Sequence, residues 1–115
     1  MNAPVLKWQM LSPEPDKMLA FYRGLFGWTV SAQNALGYRE VETGGVPGGV
    51  WPAPAGAPAF LQLFIGVDDV AQSVAQAVAL GASVIVPVSA LPDGDVMAIL
   101  KDPAGLTFGL MRRPA

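Results

Sequence analysis

The sequence predicts an α+β fold built from two βαβββ modules in tandem. Three observations carry that expectation. A strand, a helix and a glycine stop occur in that order twice; the two stops, Gly27 and Gly81, lie 54 residues apart; and the chain between reads as short strands punctuated by Gly, Pro and Asp. From the start, Val5 to Leu11 sets Lys7 and Gln9 in alternation with Trp8 and Met10, the period of a strand with one apolar face. Ser12-Pro13 offers an N-cap followed by a proline at the first helical position, and Glu14 and Asp16 suit the positive end of a helix dipole. Met18, Phe21, Tyr22 and Leu25 recur at three and four residues as one apolar stripe, and Gly27 is placed to stop the helix. Trp28-Thr29-Val30, Ala35 to Val41 and Val50-Trp51 supply three further strands, with Gly44 to Gly49 read as a turn or a lid.

Pro52 to Pro58 has connector composition, and the same order then begins again with the apolar strand Phe60 to Val67. Asp68 is the expected cap of a helix that carries Val70, Val74, Ala77 and Val78 on one face and ends at Gly81. Strands follow at Ser83 to Val88, Val96 to Leu100 and Leu106 to Met111, joined by turns at Pro92-Asp93-Gly94 and Asp102-Pro103-Ala104-Gly105. The expected organisation is one domain over residues 1–115, with module one at about 4–52 and module two at about 59–112.

Composition narrows the chemistry. At 115 residues, 52% apolar and 14% charged, the chain is large and greasy enough for a packed core, and no apolar run approaches the ~18–20 residues of a membrane span. There is no cysteine and no histidine, which removes thiolate nucleophiles, disulfides, imidazole bases and imidazole metal ligands. A net charge of −2 without a basic stripe argues against nucleic acid and anionic membranes as partners. No export signal is visible at the start, so cytoplasmic residence is the expectation.

Several segments together resemble the vicinal oxygen chelate superfamily of glyoxalases, bleomycin-resistance proteins and extradiol dioxygenases. They are Phe21-Tyr22-Arg23-Gly24-Leu25-Phe26-Gly27-Trp28, Gly48-Gly49-Val50-Trp51-Pro52, Val67-Asp68-Asp69-Val70, Leu80-Gly81-Ala82 and Asp102-Pro103-Ala104-Gly105 leading into Thr107-Phe108-Gly109-Leu110. The resemblance implies paired βαβββ modules curled around a cleft, usually a dimer and, in the enzymes, a divalent metal. Catalytic members ligate that metal with a His, Gln or Glu on the first strand of each module and a Glu on the last. In this chain the first-strand position falls on Lys7 or Trp8, depending on a one-residue slip in alignment, and the second module offers Gln62. The last-strand positions fall around Gly49 to Trp51 and on Gly109, with no carboxylate. One neutral amide does not make a divalent-metal site, and neither a metal nor another cofactor is expected.

The residues expected to bind a ligand are Lys7, Gln9, Trp51, Gln62, Phe64 and Met111. Lys7 and Gln9 share the strand face opposite Trp8 and Met10, and Lys7 favours an anionic group. Trp51, Phe64, Phe108 and Met111 could wall a site or fill a core. Glu40 and Glu42 share one strand face and read as solvated, while Asp93, Asp95 and Asp102 are turn residues. Three functions follow in order: a metal-independent small-molecule binding protein, a lyase, isomerase or dioxygenase with an unrecognised site, and a ligand-free dimeric interaction module. A homodimer is expected because the late strands are apolar on both faces.

Overall fold

The computed structural model describes residues 2–114, which fall into two compact units, residues 7–62 and residues 2–6 with 63–114. Among the described residues there are eight strands and two helices, an α+β architecture.

In unit 7–62, β1 (Val5–Ser12, from Lys7 onward) leads into α1 (Pro15–Phe26), then β2 (Thr29–Val30), β3 (Arg39–Glu42) and β4 (Gly48–Pro52). The strands lie in the order β2-β3-β4-β1, antiparallel except for β1 and β4, whose parallel register sets Gln9 opposite Gly49 and Leu11 opposite Trp51. Leu19 of α1 packs on Val41 and Val50, with Trp8, Met10, Met18, Trp28 and Val30 closing the cluster. The expected stripe is therefore corrected: Phe21 and Leu25 are 60% and 59% exposed, and the buried line of the helix runs through Leu19. Three-and-four spacing fits either line, and packing selects the one that meets Val41 and Val50. The helix also starts two residues later than expected. Ser12 Oγ accepts the Glu14 N–H at 3.0 Å, Glu14 takes the cap position, and Pro15 rather than Pro13 opens the first turn. A residue before proline is disfavoured in the helical region, which pushes the boundary past Glu14. At the other end Gly27 stops the helix as expected, at φ 71° with its N–H on the Arg23 carbonyl.

The strand expected at Ala35 to Val41 begins only at Arg39. Asn34 Oδ1 accepts the N–H groups of Leu36 (2.8 Å) and Tyr38 (3.0 Å), and Gly37 sits at φ 83°, so an Asx turn occupies the segment. That turn delivers Tyr38 to the sheet.

Unit 2–6 with 63–114 repeats the plan. β5 (Phe60–Val67, from Leu63 onward) leads into α2 (Val70–Ala79), then β6 (Ser83–Ala90), β7 (Val96–Lys101) and β8 (Thr107–Arg112), in the order β5-β8-β7-β6 with β5 and β8 parallel. Val70, Ala98, Leu100 and Leu110 form its core with Ile65, Val67, Val74, Ala77, Val96 and Phe108 around them. Phe108 thus belongs to the helix-side core and is not a wall of a site. Val78, expected inside, is 49% exposed. The cap of α2 is Asp69, whose side chain accepts the Gln72 N–H at 3.0 Å; Asp68 pairs instead with Arg113 at 3.8 Å. Among the described residues no helix is long and apolar enough to cross a membrane.

Candidate functional site

In unit 7–62 the alternation of β1 separates two chemistries. Trp8 and Met10 join the core beneath α1, so Lys7 and Gln9 occupy the opposite face. There they meet Tyr38, Trp51 and Gln62. Gln62 Nε2 donates to Gln9 Oε1 at 3.4 Å, and the two amides are 5% and 3% exposed. Tyr38 hydrogen-bonds with Gln9, accepts from Lys7 Nζ at 3.4 Å and packs on Trp51 with ring centroids 4.7 Å apart. Lys7 Nζ also lies 5.3 Å from the Tyr38 ring centroid, within range of a cation–π contact. The result is one connected cluster of an ammonium, a phenol, two carboxamides and an indole.

Burial pushes the Tyr38 hydroxyl up to about 12, with Glu40 acting in the same direction and the Gln9 hydrogen bond opposing both. At neutral pH Tyr38 is a phenol, both donor and acceptor. Buried polar groups persist only when partnered, and here the partners are one another. Lys7 and Trp51 are half-buried, so the cluster meets its surroundings through them.

Tyr38 escaped the sequence reading. The available signal was Gly48-Gly49, taken as a turn or lid but in fact the start of β4, since glycines inside a strand mark close approach by another group. A Cβ on Gly48 would collide with the Trp8 indole, and one on Gly49 with the Tyr38 ring. Glu40 is exposed, and Asp102 forms the expected turn, accepting from Ala104 and Leu106.

Phe64 and Met111 belong to the other unit. Phe64 is 2% exposed, and its ring fills the space a side chain at Gly109 would need. Met111 pairs across the sheet with Met97, and both are half-buried. The parallel registers also resolve the alignment slip: Gln9 faces Gly49 as Phe64 faces Gly109, which makes Lys7 the counterpart of Gln62.

Residues 8–111 match the glyoxalase-like domain family model, and the chain belongs to that family. Over 109 residues it is 33% identical to the protein CFP32 of Mycobacterium bovis, provisionally named a glyoxylase, covering 90% of this chain and 42% of that one. The chain thus spans less than half the length of the curated relatives it matches. Among solved structures, a hypothetical protein from Bacillus halodurans C-125 superposes with a TM-score of 0.73 at 13% identity, covering 100% of this chain and 97% of that one. A glyoxalase/bleomycin resistance protein/dioxygenase superfamily member from Vibrio splendidus 12B01 gives 0.69 at 14%, covering 97% and 100%. Methylmalonyl-CoA epimerase from Mycobacterium tuberculosis gives 0.68 at 14%, covering 100% and 94%. At these identities the superpositions establish a shared fold.

The divalent metal that the superfamily resemblance implies does not fit the residues present. At Gly49 and Gly109, where carboxylates would be wanted, the side-chain space holds the rings of Tyr38 and Phe64. Among the described residues no three His, Cys, Asp or Glu side chains come together in a way that could hold a metal ion.

Proposed function

We propose that this chain is a metal-independent small-molecule binding protein, with Lys7, Gln9, Trp51 and Gln62 as ligand contacts and Tyr38 added to them. The observation that carries the reading is the buried cluster on the face of β1 opposite α1. A folded domain gains little from burying two carboxamides and a phenol, because each is desolvated at a cost that its hydrogen bonds only offset. An aromatic pair beside amide donors and acceptors is instead the composition of a recognition surface for a planar polar compound.

Fluorescence titration with 2-naphthamide tests the reading. Quenching of the Trp51 contribution is expected, unchanged by EDTA and lost in Trp51→Leu. Calorimetric titration with Zn²⁺ or Mn²⁺ alone should show no affinity at the micromolar level. A micromolar metal site abolished by Gln62→Ala would replace this reading with a metal-dependent lyase, isomerase or dioxygenase. A homodimer forms part of the proposal, supported by the exposed Val84, Ile85 and Val88 on β6, the last strand in its sheet order, which carries no charged residue. Light scattering that reports a monomer at tens of micromolar would remove the dimer and leave the ligand reading standing.

A further inference from the structure

We infer that Asn34, an exposed residue outside the buried cluster, is a positioning residue for the proposed ligand site: it holds the backbone of Tyr38, and Tyr38 in turn holds the Gln9 amide and the Trp51 indole. The inference rests on the proposed binding function and adds to it a residue that touches no ligand.

The first support is the way the chain reaches Tyr38. Ser31 to Leu36 are all exposed and Gly37 is half-buried, so Tyr38, at 8% exposure, is the first side chain of this segment to enter the protein. Packing does not fix the residues before it. Hydrogen bonds do so instead, and they converge on one residue. Asn34 Oδ1 accepts the N–H groups of Leu36 and Tyr38, the Asn34 N–H donates to the Tyr38 carbonyl at 2.9 Å, and the Asn34 carbonyl accepts the Gly37 N–H at 3.0 Å. Both backbone polar groups of Tyr38 therefore end on Asn34. At the base of the loop the Ser31 N–H donates to the Glu40 carbonyl and Ser31 Oγ accepts the Glu40 N–H, both at 2.9 Å. That clamp fixes β3 and leaves Tyr38 to Asn34.

The second support is what Tyr38 holds. Its ring fills the space over Gly49, packs on Trp51 and hydrogen-bonds with Gln9, whose carbonyl takes the Gln62 amide. Gln9 is 3% exposed, so its amide cannot turn to bulk water when Tyr38 shifts and must reorient within the cluster. A displacement that begins in an exposed loop is thereby delivered to two of the proposed ligand contacts.

The residue type suits the role. A short side-chain carbonyl reaches backbone N–H groups a few residues on, and Asn and Asp supply one where Ala does not. The bonds made by the Asn34 backbone survive any substitution, so the carboxamide carries only part of the restraint. Because Asn34 is exposed, replacing it removes no core contact.

The experiment measures 2-naphthamide affinity and the Tyr38 phenolate absorbance on the full chain, the latter isolated by subtracting the signal of Tyr38→Phe. In Asn34→Ala the affinity should fall about fivefold, and the phenolate transition should move from about 12 toward the ordinary 10.0 as the hydroxyl gains water. Lys7 and Glu40, which act on Tyr38, are unchanged in the Asn34 variants. Asn34→Asp keeps the side-chain acceptor and should hold the affinity within about twofold of native, with the transition still near 12. Native affinity in Asn34→Ala, a fall that Asn34→Asp shares in full, or a fall with the phenolate transition unmoved overturns the positioning role and leaves the proposed function intact. Failure of the native protein to bind the naphthamide at about 1 mM overturns the proposed function, and the phenolate titration then decides separately whether Asn34 holds Tyr38. Should Asn34→Ala not fold, Gly37→Ala strains the same turn, since φ there is 83° and a Cβ would lie 3.1 Å from the Pro52 side chain. It should shift both readouts in the same direction, and the inference falls if it shifts neither.

Discussion

Gly49 and Gly109 occupy equivalent places in the two units, each on the strand parallel to its unit's first strand, and they differ in where the ring above them comes from. Over Gly109 the ring is Phe64, the residue directly opposite on β5. Over Gly49 it is Tyr38, from the residue just before β3, while the residue directly opposite on β1 is Gln9. The same gap in the same framework is filled from the directly paired strand in one unit and from the lead-in to β3 in the other. Recruiting the aromatic from ahead of β3 leaves the directly opposite position open to a polar group, and Gln9 takes it. One unit is thereby apolar at this level, with Phe64, Ile99 and Met111; the other holds a phenol, an ammonium and carboxamides.

The largest effects should come from closing those two gaps. Gly109→Ala is expected to destabilise by about 1–3 kcal/mol, read by urea unfolding, because a methyl group would force the Phe64 ring aside. Combined with Phe64→Leu the cost should be much less than additive, since the shorter side chain vacates the contested space. Gly49→Ala should cost about as much and also weaken naphthamide binding, because Tyr38 cannot move without leaving Gln9 and Lys7. Purely additive behaviour of the Gly109/Phe64 pair would dissolve the comparison.

The two helices extend it with a smaller effect. Asp69 accepts the Gln72 N–H and caps α2, whereas Glu14 makes no side-chain cap bond to α1. Asp69→Ala should cost about 1 kcal/mol and Glu14→Ala a few tenths, measured by the same unfolding curves. Equal costs would show that capping does not distinguish the two modules.

The smallest effect is confined to alkaline pH. Tyr38 titrates at about 12 in the fold against an ordinary 10.0, so the folded state holds its proton more tightly than the unfolded chain. Its contribution is complete below pH 10, declines as pH rises through that window and is lost beyond about 12. Tyr38→Phe should flatten that part of the stability profile and remove an ultraviolet phenolate transition near pH 12. A phenolate signal that Tyr38→Phe removes near pH 10 would place the hydroxyl in water rather than in the cluster.

The helix stops at Gly27 and Gly81, the β1 alternation and the α2 periodicity were legible because each is local, written into residues two to four positions apart. Those patterns sufficed for the α+β plan of two βαβββ sets. Lys7 and Gln9 were legible as candidates for the same reason, since alternation sorts one strand's residues into two faces, whereas Gln62 was reached through the family resemblance and Trp51 through its aromatic character. Tyr38 was not, because its place depends on an Asx turn at Asn34 and on a gap over Gly49 that is visible only once β3 and β4 are paired. Phe21 and Leu25 misled in the opposite way. Their spacing satisfies a helical stripe, yet the surface offered by Val41 and Val50 accepts Leu19.

The assignment of residues 2–6 has a consequence for the order of folding. Gly66 N–H bonds to the Pro4 carbonyl at 2.8 Å, Arg113 Nη1 reaches the Asn2 carbonyl at 3.1 Å, and Leu6 fills the space beside Gly66. Residues synthesised early are thus held by residues synthesised late, across a separation of 111 positions. Unit 7–62 is continuous and can close on the ribosome as soon as its own strands emerge; the segment before it must wait, unpaired, until β5 and β8 exist. Long-range closure of this kind costs little at equilibrium, growing only logarithmically with length, but it slows the search. A chain arrested before Arg113 is therefore expected to leave residues 2–6 more accessible to proteolysis than the full chain does.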